Sequence, residues 1–348
     1  MSFLDEVAEQ AHALRELVAY YRTQGSELLS QAERIASRRP RSLVFAGMGT
    51  SEIVPTTARD YLGEHAKIPV VIWDAGELLH YGMGNIRDDD IVFLVSQSGE
   101  SIETRKVADL LRFHRQVISV TNDCQSSIAK WSVLNLPMVA GEESAISTKT
   151  YTNSLAVMLL LSRAIPGEDW EFSILQPLEQ IADSMDAFLL DRQSEIEGAA
   201  DLLSDANAVY FVSRGPAMAA ARQAALTFQE GVHVFATALS GGSMRHGPFE
   251  VVGPGHHAVL FAPEGEGGDL LRKMAVEMAE LGSRVVLFTA VEVMQHPNLL
   301  GIILRPGNPE LFSLTCAVPQ ELLLARMASL RGVIPGHFHY GGKITERE

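Results

Sequence analysis

The stretch DIVFLVSQSGES, Asp90–Ser101, runs from an unbroken apolar segment, Ile91–Val95, into a loop of three serines, a glutamine, a glycine and a glutamate. An apolar run with no polar alternation marks a strand covered on both faces, as in a parallel sheet. Runs of the same make surround it: SLVFAG from Ser42, PVVIWD from Pro69 and QVISVTND from Gln116, with helical stretches starting near Ser51 and Ser101. Strands alternating with helices predict a doubly wound α/β domain.

The second half of the chain repeats the first. AVYFVSRG, AVLFAPEG and RVVLFTAV reproduce the order of SLVFAGMG, IVFLVSQS and VISVTNDC. Val44 and Tyr210, Phe93 and Leu260, and Ile118 and Val286 are 166, 167 and 168 residues apart, a register that three unrelated strands would not keep. One large sheet with coincidental spacing is the alternative. The expected fold is therefore α/β, with two doubly wound parallel-sheet domains of flavodoxin-like three-layer α/β/α build. Residues 1–40 form a helical lead-in, 41–165 the first domain, 166–200 a helical linker, 201–330 the second domain, and 331–348 a tail over the active site. The hydroxyl-rich segment SAISTKTYT, Ser144–Thr152, is placed ahead of an apolar helix beginning near Leu155.

Composition narrows the function. The 348 residues are 47% hydrophobic, enough for more than one core, and the net charge of −15 repels nucleic acid and acidic membranes. Two cysteines, Cys124 and Cys316, stand without metal-ligand spacing and suit a reducing compartment. The N-terminus lacks the basic and apolar regions of a secretory signal, and no apolar run is long enough for a membrane span. A cytoplasmic protein with no nucleic-acid or membrane partner is expected. No GxxxxGK[ST] occurs, nor a GxGxxG with a downstream ribose acid, so nucleotide binding is not indicated.

Ligands of open parallel sheets bind beyond the carboxyl ends of the strands. Ser96, Gln97, Ser98 and Ser101 fall there, and GMGTSE places Gly49, Thr50 and Ser51 after the first strand. Hydroxyls, an amide and backbone N–H groups at a helix start suit a phosphate monoester. Either loop by itself also reads as a Ser/Thr cap with a turn glycine. Downstream, Glu230 ends an apolar helical run and His246 sits before a Gly-Pro turn. A carboxylate and an imidazole can move protons near neutral pH, although the same residues also fit a surface acid and a turn histidine.

The set GTS, SQSGES, STKTYT, QEG and RHGP resembles the sugar isomerase (SIS) domain pair. The likeness is to the isomerase half of glucosamine-6-phosphate synthase and to free-standing enzymes that deaminate or deglycate amino-sugar phosphates. It runs over roughly residues 40–345. That resemblance implies that Ser51, Ser96, Gln97, Ser98 and Ser101 hold the phosphate, together with Gly49 and Thr50. It puts the backbone at Ala145 and the side chain of Ser147 near the sugar hydroxyls. Glu230 becomes the proton carrier between C1 and C2, and His246 the ring-opening histidine supplied by a neighbouring subunit, which implies a homodimer with shared sites. Lys343 resembles the lysine that reaches the substrate carbonyl or forms an imine.

Two departures separate this chain from the synthase pattern. Thr227 stands where that pattern has a lysine, and the approach to Lys343 reads IPGHFHYGG. His337 and His339 alternate without a third ligand nearby, so neither a metal nor a cofactor is expected. With Ser2 at the second position and only about 40 residues ahead of the first strand, the synthase's glutamine-hydrolysing domain is not expected in this chain. The expected activity is conversion of glucosamine 6-phosphate to fructose 6-phosphate with loss of ammonia, or the isomerase half-reaction. A fructosamine 6-phosphate deglycase is the alternative within the same chemistry. A non-catalytic sugar-phosphate sensor is the alternative of another class; it would need none of Glu230, His246 or Lys343.

Overall fold

A computed structural model describes residues 2–113, 116–340 and 342. Three helices open the chain: α1 (Phe3–Ala8), α2 (Gln10–Arg22) and α3 (Ser26–Ala36). Next come β1 (Leu43–Gly47), α4 (Thr50–Ile53), α5 (Thr56–His65), β2 (Val70–Asp74), α6 (Ala75–Glu77), β3 (Ile91–Ser96), α7 (Ile102–Leu111), β4 (Val117–Thr121), α8 (Ser127–Trp131), β5 (Leu134–Pro137) and α9 (Lys149–Ala164). Helices α10 (Gln176–Asp191) and α11 (Gln193–Leu202) lead to β6 (Ala208–Ser213), α12 (Met218–Gly231), β7 (Phe235–Ser240), α13 (Gly241–Arg245), β8 (His257–Ala262), α14 (Glu266–Glu280), β9 (Arg284–Thr289), β10 (Leu299–Ile303), α15 (Phe312–Thr315) and α16 (Ala317–Leu330).

Both sheets are five-stranded and parallel. The first has the order β2-β1-β3-β4-β5, and the second, read from β7, has β7-β6-β8-β9-β10, which is the same winding. Corresponding strands start 165 to 167 residues apart, so the fold is the duplicated, doubly wound α/β arrangement that the sequence predicts. The chain divides into two compact units, residues 11–182 with the first sheet and residues 2–10 with 183–339 with the second.

In the first unit every residue of β1, β3 and β4 is buried, which explains the unbroken apolar runs of β1 and β3, while the buried hydroxyls of Ser119 and Thr121 in β4 donate to Asn135 Oδ1 at 2.8 and 2.9 Å. Register pairs Phe45 with Phe93, and the two rings stack with centroids 4.5 Å apart. On the opposite face Val44, Ala46, Val92 and Leu94 pack against Val107, Ala108 and Leu111 of α7. Each such valine or leucine side chain stabilises the fold by about 1.5–3 kcal/mol. At the amino edge the fully buried Asp90 accepts from Arg41 Nε (3.0 Å) and Nη2 (2.5 Å), Ser42 Oγ (2.6 Å) and the Arg87 N–H (2.8 Å). Burial pushes its pKa up, but these donors outweigh burial and hold it below the ordinary aspartate value.

The second unit repeats the scheme. Phe261 and Phe288 are register partners on β8 and β9 and stack at 5.2 Å, while Ala258, Leu260 and Ala262 face Leu271, Met274 and Met278 of α14. At the amino edge, the buried His257 meets Asp205 at 2.9 Å and the buried His256 meets Ser283 Oγ at 2.6 Å. Residues 2–10 belong here because the buried Gln10 amide donates to the buried Glu321 of α16 at 2.6 Å.

Helix α9 begins at Lys149, six residues ahead of the apolar start that periodicity marks at Leu155. All sixteen of its residues are buried, so there is no polar face to set a period. The inward polar groups find local partners instead. Lys149 Nζ donates to Glu142 O at 2.6 Å, Thr150 Oγ1 to Glu143 Oε2 at 2.6 Å, and Asn153 Nδ2 to the carbonyls of Ala13 and Met138 at 3.0 and 2.9 Å.

Candidate functional site

The first sheet changes winding direction between β1 and β3, because β1 connects outward to β2 and β3 connects the other way to β4. The loops leaving these two strands flank the crevice where such sheets take ligands. Gly49, Thr50 and Ser51 follow β1; Ser96, Gln97, Ser98 and Ser101 follow β3. Since the sheet is parallel, the segment after β5 that carries Ala145 and Ser147 leaves from the same edge. The structure thus gathers all nine predicted binding residues on one edge of one sheet.

The β3–α7 loop is held by its own groups. Ser96 Oγ accepts from the Gly99 N–H and Ser98 Oγ from the Glu100 N–H, both at 3.1 Å, which leaves each hydroxyl proton available for donation. Gly99 has φ +65°, and a Cβ there would lie 2.0 Å from Ser126 Oγ, so no other residue fits. Ser101 is the N-cap of α7 yet makes no side-chain capping bond, and Thr50, Ser51 and Ser101 spend no hydroxyl on a protein partner among the described residues. The loop's one acid is turned aside: Glu100 Oε1 accepts from the Ser127 N–H at 2.6 Å, and Arg105 lies 3.7 Å from its other oxygen. What remains is a set of hydroxyl and N–H donors at the start of a ten-residue helix, a chemistry suited to an anion.

Sequence reasoning passed over the residue that organises the third segment. Glu143 Oε1 accepts from the N–H groups of Thr148 (2.9 Å) and Thr150 (3.0 Å), capping the start of α9 and fixing the turn that carries Ala145 and Ser147. Asn122 ties the same segment to the end of β4, accepting from the Ala140 N–H at 2.8 Å and donating to Gly141 O at 2.7 Å. An acid shortly before a hydroxyl-rich helix start was the available signal.

The second unit holds the candidate proton carriers, and it does not bring them together. Glu230 is the penultimate residue of α12 and precedes β7, at the amino edge of the second sheet. His246 is exposed, follows α13 and lies beyond the carboxyl end of β7. Six strand residues separate the two edges, roughly 20 Å at the usual rise. Neighbouring Arg245 is committed to Glu277 and to the face of Phe249. Thr227 is buried one turn before Glu230, and its hydroxyl donates to Gln223 O at 3.0 Å, so no cation occupies that position. Lys343 lies outside the described residues.

The rings of His233 and His337 lie 5.0 and 5.7 Å from that of His339, and among the described residues no group of three or more His, Cys, Asp or Glu could hold a metal ion. Burial raises the pKa of both Cys124 and Cys316, with Asp123 adding to the effect at Cys124, so neither thiol is activated as a nucleophile. No helix among the described residues is long and apolar enough to cross a membrane.

Comparison with known proteins agrees with this geometry. Residues 37–163 match the SIS domain model. The glutamine--fructose-6-phosphate aminotransferase [isomerizing] of Oceanobacillus iheyensis is 25% identical over 328 residues, which are 92% of this chain and 54% of that protein. The chain spans about half the length of the curated relatives it matches. Among solved structures, the C-terminal domain of glucosamine-fructose-6-phosphate aminotransferase from Francisella tularensis superposes with TM-score 0.83 at 21% identity, covering 96% of this chain and 98% of that one. Glucosamine-6-phosphate deaminase from Thermotoga maritima superposes with TM-score 0.75 at 21% identity, covering 99% of both. The fold, the loop after β3 and the match over residues 37–163 agree in making the first unit similar to a SIS domain.

Proposed function

We propose that the chain is a sugar-phosphate isomerase that acts on an amino-sugar phosphate, with glucosamine 6-phosphate converted to fructose 6-phosphate and ammonia as its first candidate reaction. The observation that carries this reading is the donor-lined loop Ser96–Ser101 at the winding switch of the first sheet, whose hydroxyl protons and α7 N–H groups suit a phosphate monoester. The similarity to isomerizing aminotransferases over most of the chain adds to it.

In the proposed chemistry His246 passes a proton from the anomeric hydroxyl to the ring oxygen, which opens the sugar to its aldehyde. Glu230 then takes the proton from C2 and returns it to C1. With a second proton passing from the C2 amino group to O1, C1 becomes the hydroxymethyl carbon and C2 an imine, which water hydrolyses to the ketone with release of ammonia. Because Glu230 and His246 sit at opposite ends of β7, the reading includes a homodimer in which each site takes its histidine from the partner. No step is routed through Lys343.

A fructosamine 6-phosphate deglycase is the second reading, favoured by one observation: the buried Thr227 removes a cation beside Glu230, which alters what the substrate's amino group meets. Measuring ammonia and amine release from a panel of phosphorylated amino sugars and fructosamines tests both. Ammonia from glucosamine 6-phosphate supports the first reading, an amino acid released from a fructosamine 6-phosphate supports the second, and turnover of neither defeats the proposal.

A further inference from the structure

The second sheet has its own winding switch, between β6 and β8, and one side chain lies across the loops that leave it. Arg214 directly follows β6. Its stem passes Gly267 in the first turn of α14, where a Cβ would lie 3.8 Å from the Arg214 Cβ. Its guanidinium rests on the first turn of α13, where a Cβ on Gly241 would be 2.6 Å from Nε and 3.2 Å from Nη2, and one on Gly242 would be 4.0 Å from Nη1. Three strand-end loops, after β6, β7 and β8, therefore meet on one cation, and two adjacent glycines keep the space beside it clear of side chains.

That cation is unspent. Arg214 Nε is buried with no acceptor, and among the described residues Arg214 forms no ion pair, not even with Glu264 or Glu266 of the adjacent loop. Three arginines of the same unit are paired with acids, Arg245 with Glu277, Arg272 with Asp269 and Arg284 with Asp205, while Arg326 on α16 shares with Arg214 a buried Nε that has no acceptor. Placing a guanidinium donor where it has no acceptor costs stability, and that cost is offset only when an anion is taken.

We infer that Arg214 is the gripping residue of a second small-anion site, formed by the loops after β6, β7 and β8. It offers Nη1 and Nη2 end-on to two oxygens of one carboxylate or phosphate group. The site is independent of the Ser96–Ser101 loop and of the activity proposed above.

The test is an NMR titration of the full-length protein carrying 15N-labelled arginine, with the Arg214 side-chain signal assigned by its loss in Arg214→Gln. Inorganic phosphate and acetate are the two probes. A saturable shift of the Arg214 signal is expected with at least one of them, and the tighter-binding probe identifies the anion class. Gly241→Ala keeps the charge but places a methyl 2.6 Å from Nε, and is expected to weaken that binding about tenfold or more. Should Gly241→Ala fail to fold, Arg214→Lys serves in its place, with binding of the same probe read by isothermal titration calorimetry because the arginine signal is lost, and is expected to weaken binding by losing the forked geometry. An Arg214 signal that ignores both probes, or that drifts without saturating, overturns the inference.

Discussion

Glu230 and His246 stand at opposite ends of the strand β7, one ahead of its first residue and one beyond its last. One chain on its own therefore does not present both groups to the same carbon along that strand. Glu230→Gln is expected to lower kcat by about 100-fold or more, the scale of a lost general base. Mixing the Glu230→Gln and His246→Ala proteins, each inactive, is expected to restore part of the activity through hybrid dimers. Silence in the mixture would remove the shared site.

Ser98 is expected to act on binding rather than on chemistry. Ser98→Ala removes a hydroxyl from the loop and the acceptor of the Glu100 N–H, so KM for the sugar phosphate should rise several-fold while kcat falls less. Steady-state kinetics with an active substrate reads the split, and an unchanged KM would take this loop out of phosphate binding.

Glu143 holds the start of α9 through two backbone N–H groups. Glu143→Ala is expected to cost about 1–2 kcal/mol, the usual scale for a lost cap, and to raise KM through the loosened Ala145–Ser147 turn. Thermal unfolding measures the first effect. A variant as stable as the parent would show that the cap is dispensable.

His256 carries a pH prediction. Burial, with a smaller contribution from His257, lowers its pKa from 6.5 to about 4. The folded protein thus keeps the ring neutral where the unfolded chain binds a proton. Stability from this residue is complete above pH 6.5 and declines as pH falls toward 4, by about 3 kcal/mol in total. Denaturant midpoints across that range check the slope, which His256→Gln should flatten.

The strands were the most legible part of the sequence. Ile91–Val95 and its counterparts are buried on both faces, so composition alone marks them, and the spacing of Val44 and Tyr210 revealed the duplication. That the candidate binding residues share one edge was legible because β1, β3 and β5 all point the same way, which sends their loops to one side. Helix α9 was read short because its first turns bury Lys149, Thr150 and Asn153 against partners that periodicity does not see. Glu143 and Arg214 escaped notice for a related reason: their roles depend on neighbours far along the chain or across a turn. In a linear reading Arg214 is one charge after a strand, and only the packing shows Gly241 against its guanidinium.

The complete enclosure of α9 bears on how the protein is made. A nascent chain that has released the first sheet but not residues 149–164 has no cover for the surfaces that this helix fills. Such an intermediate would expose sticky β structure on the ribosome, and truncations ending before Ala164 should be recovered as aggregates rather than as a free-standing first half.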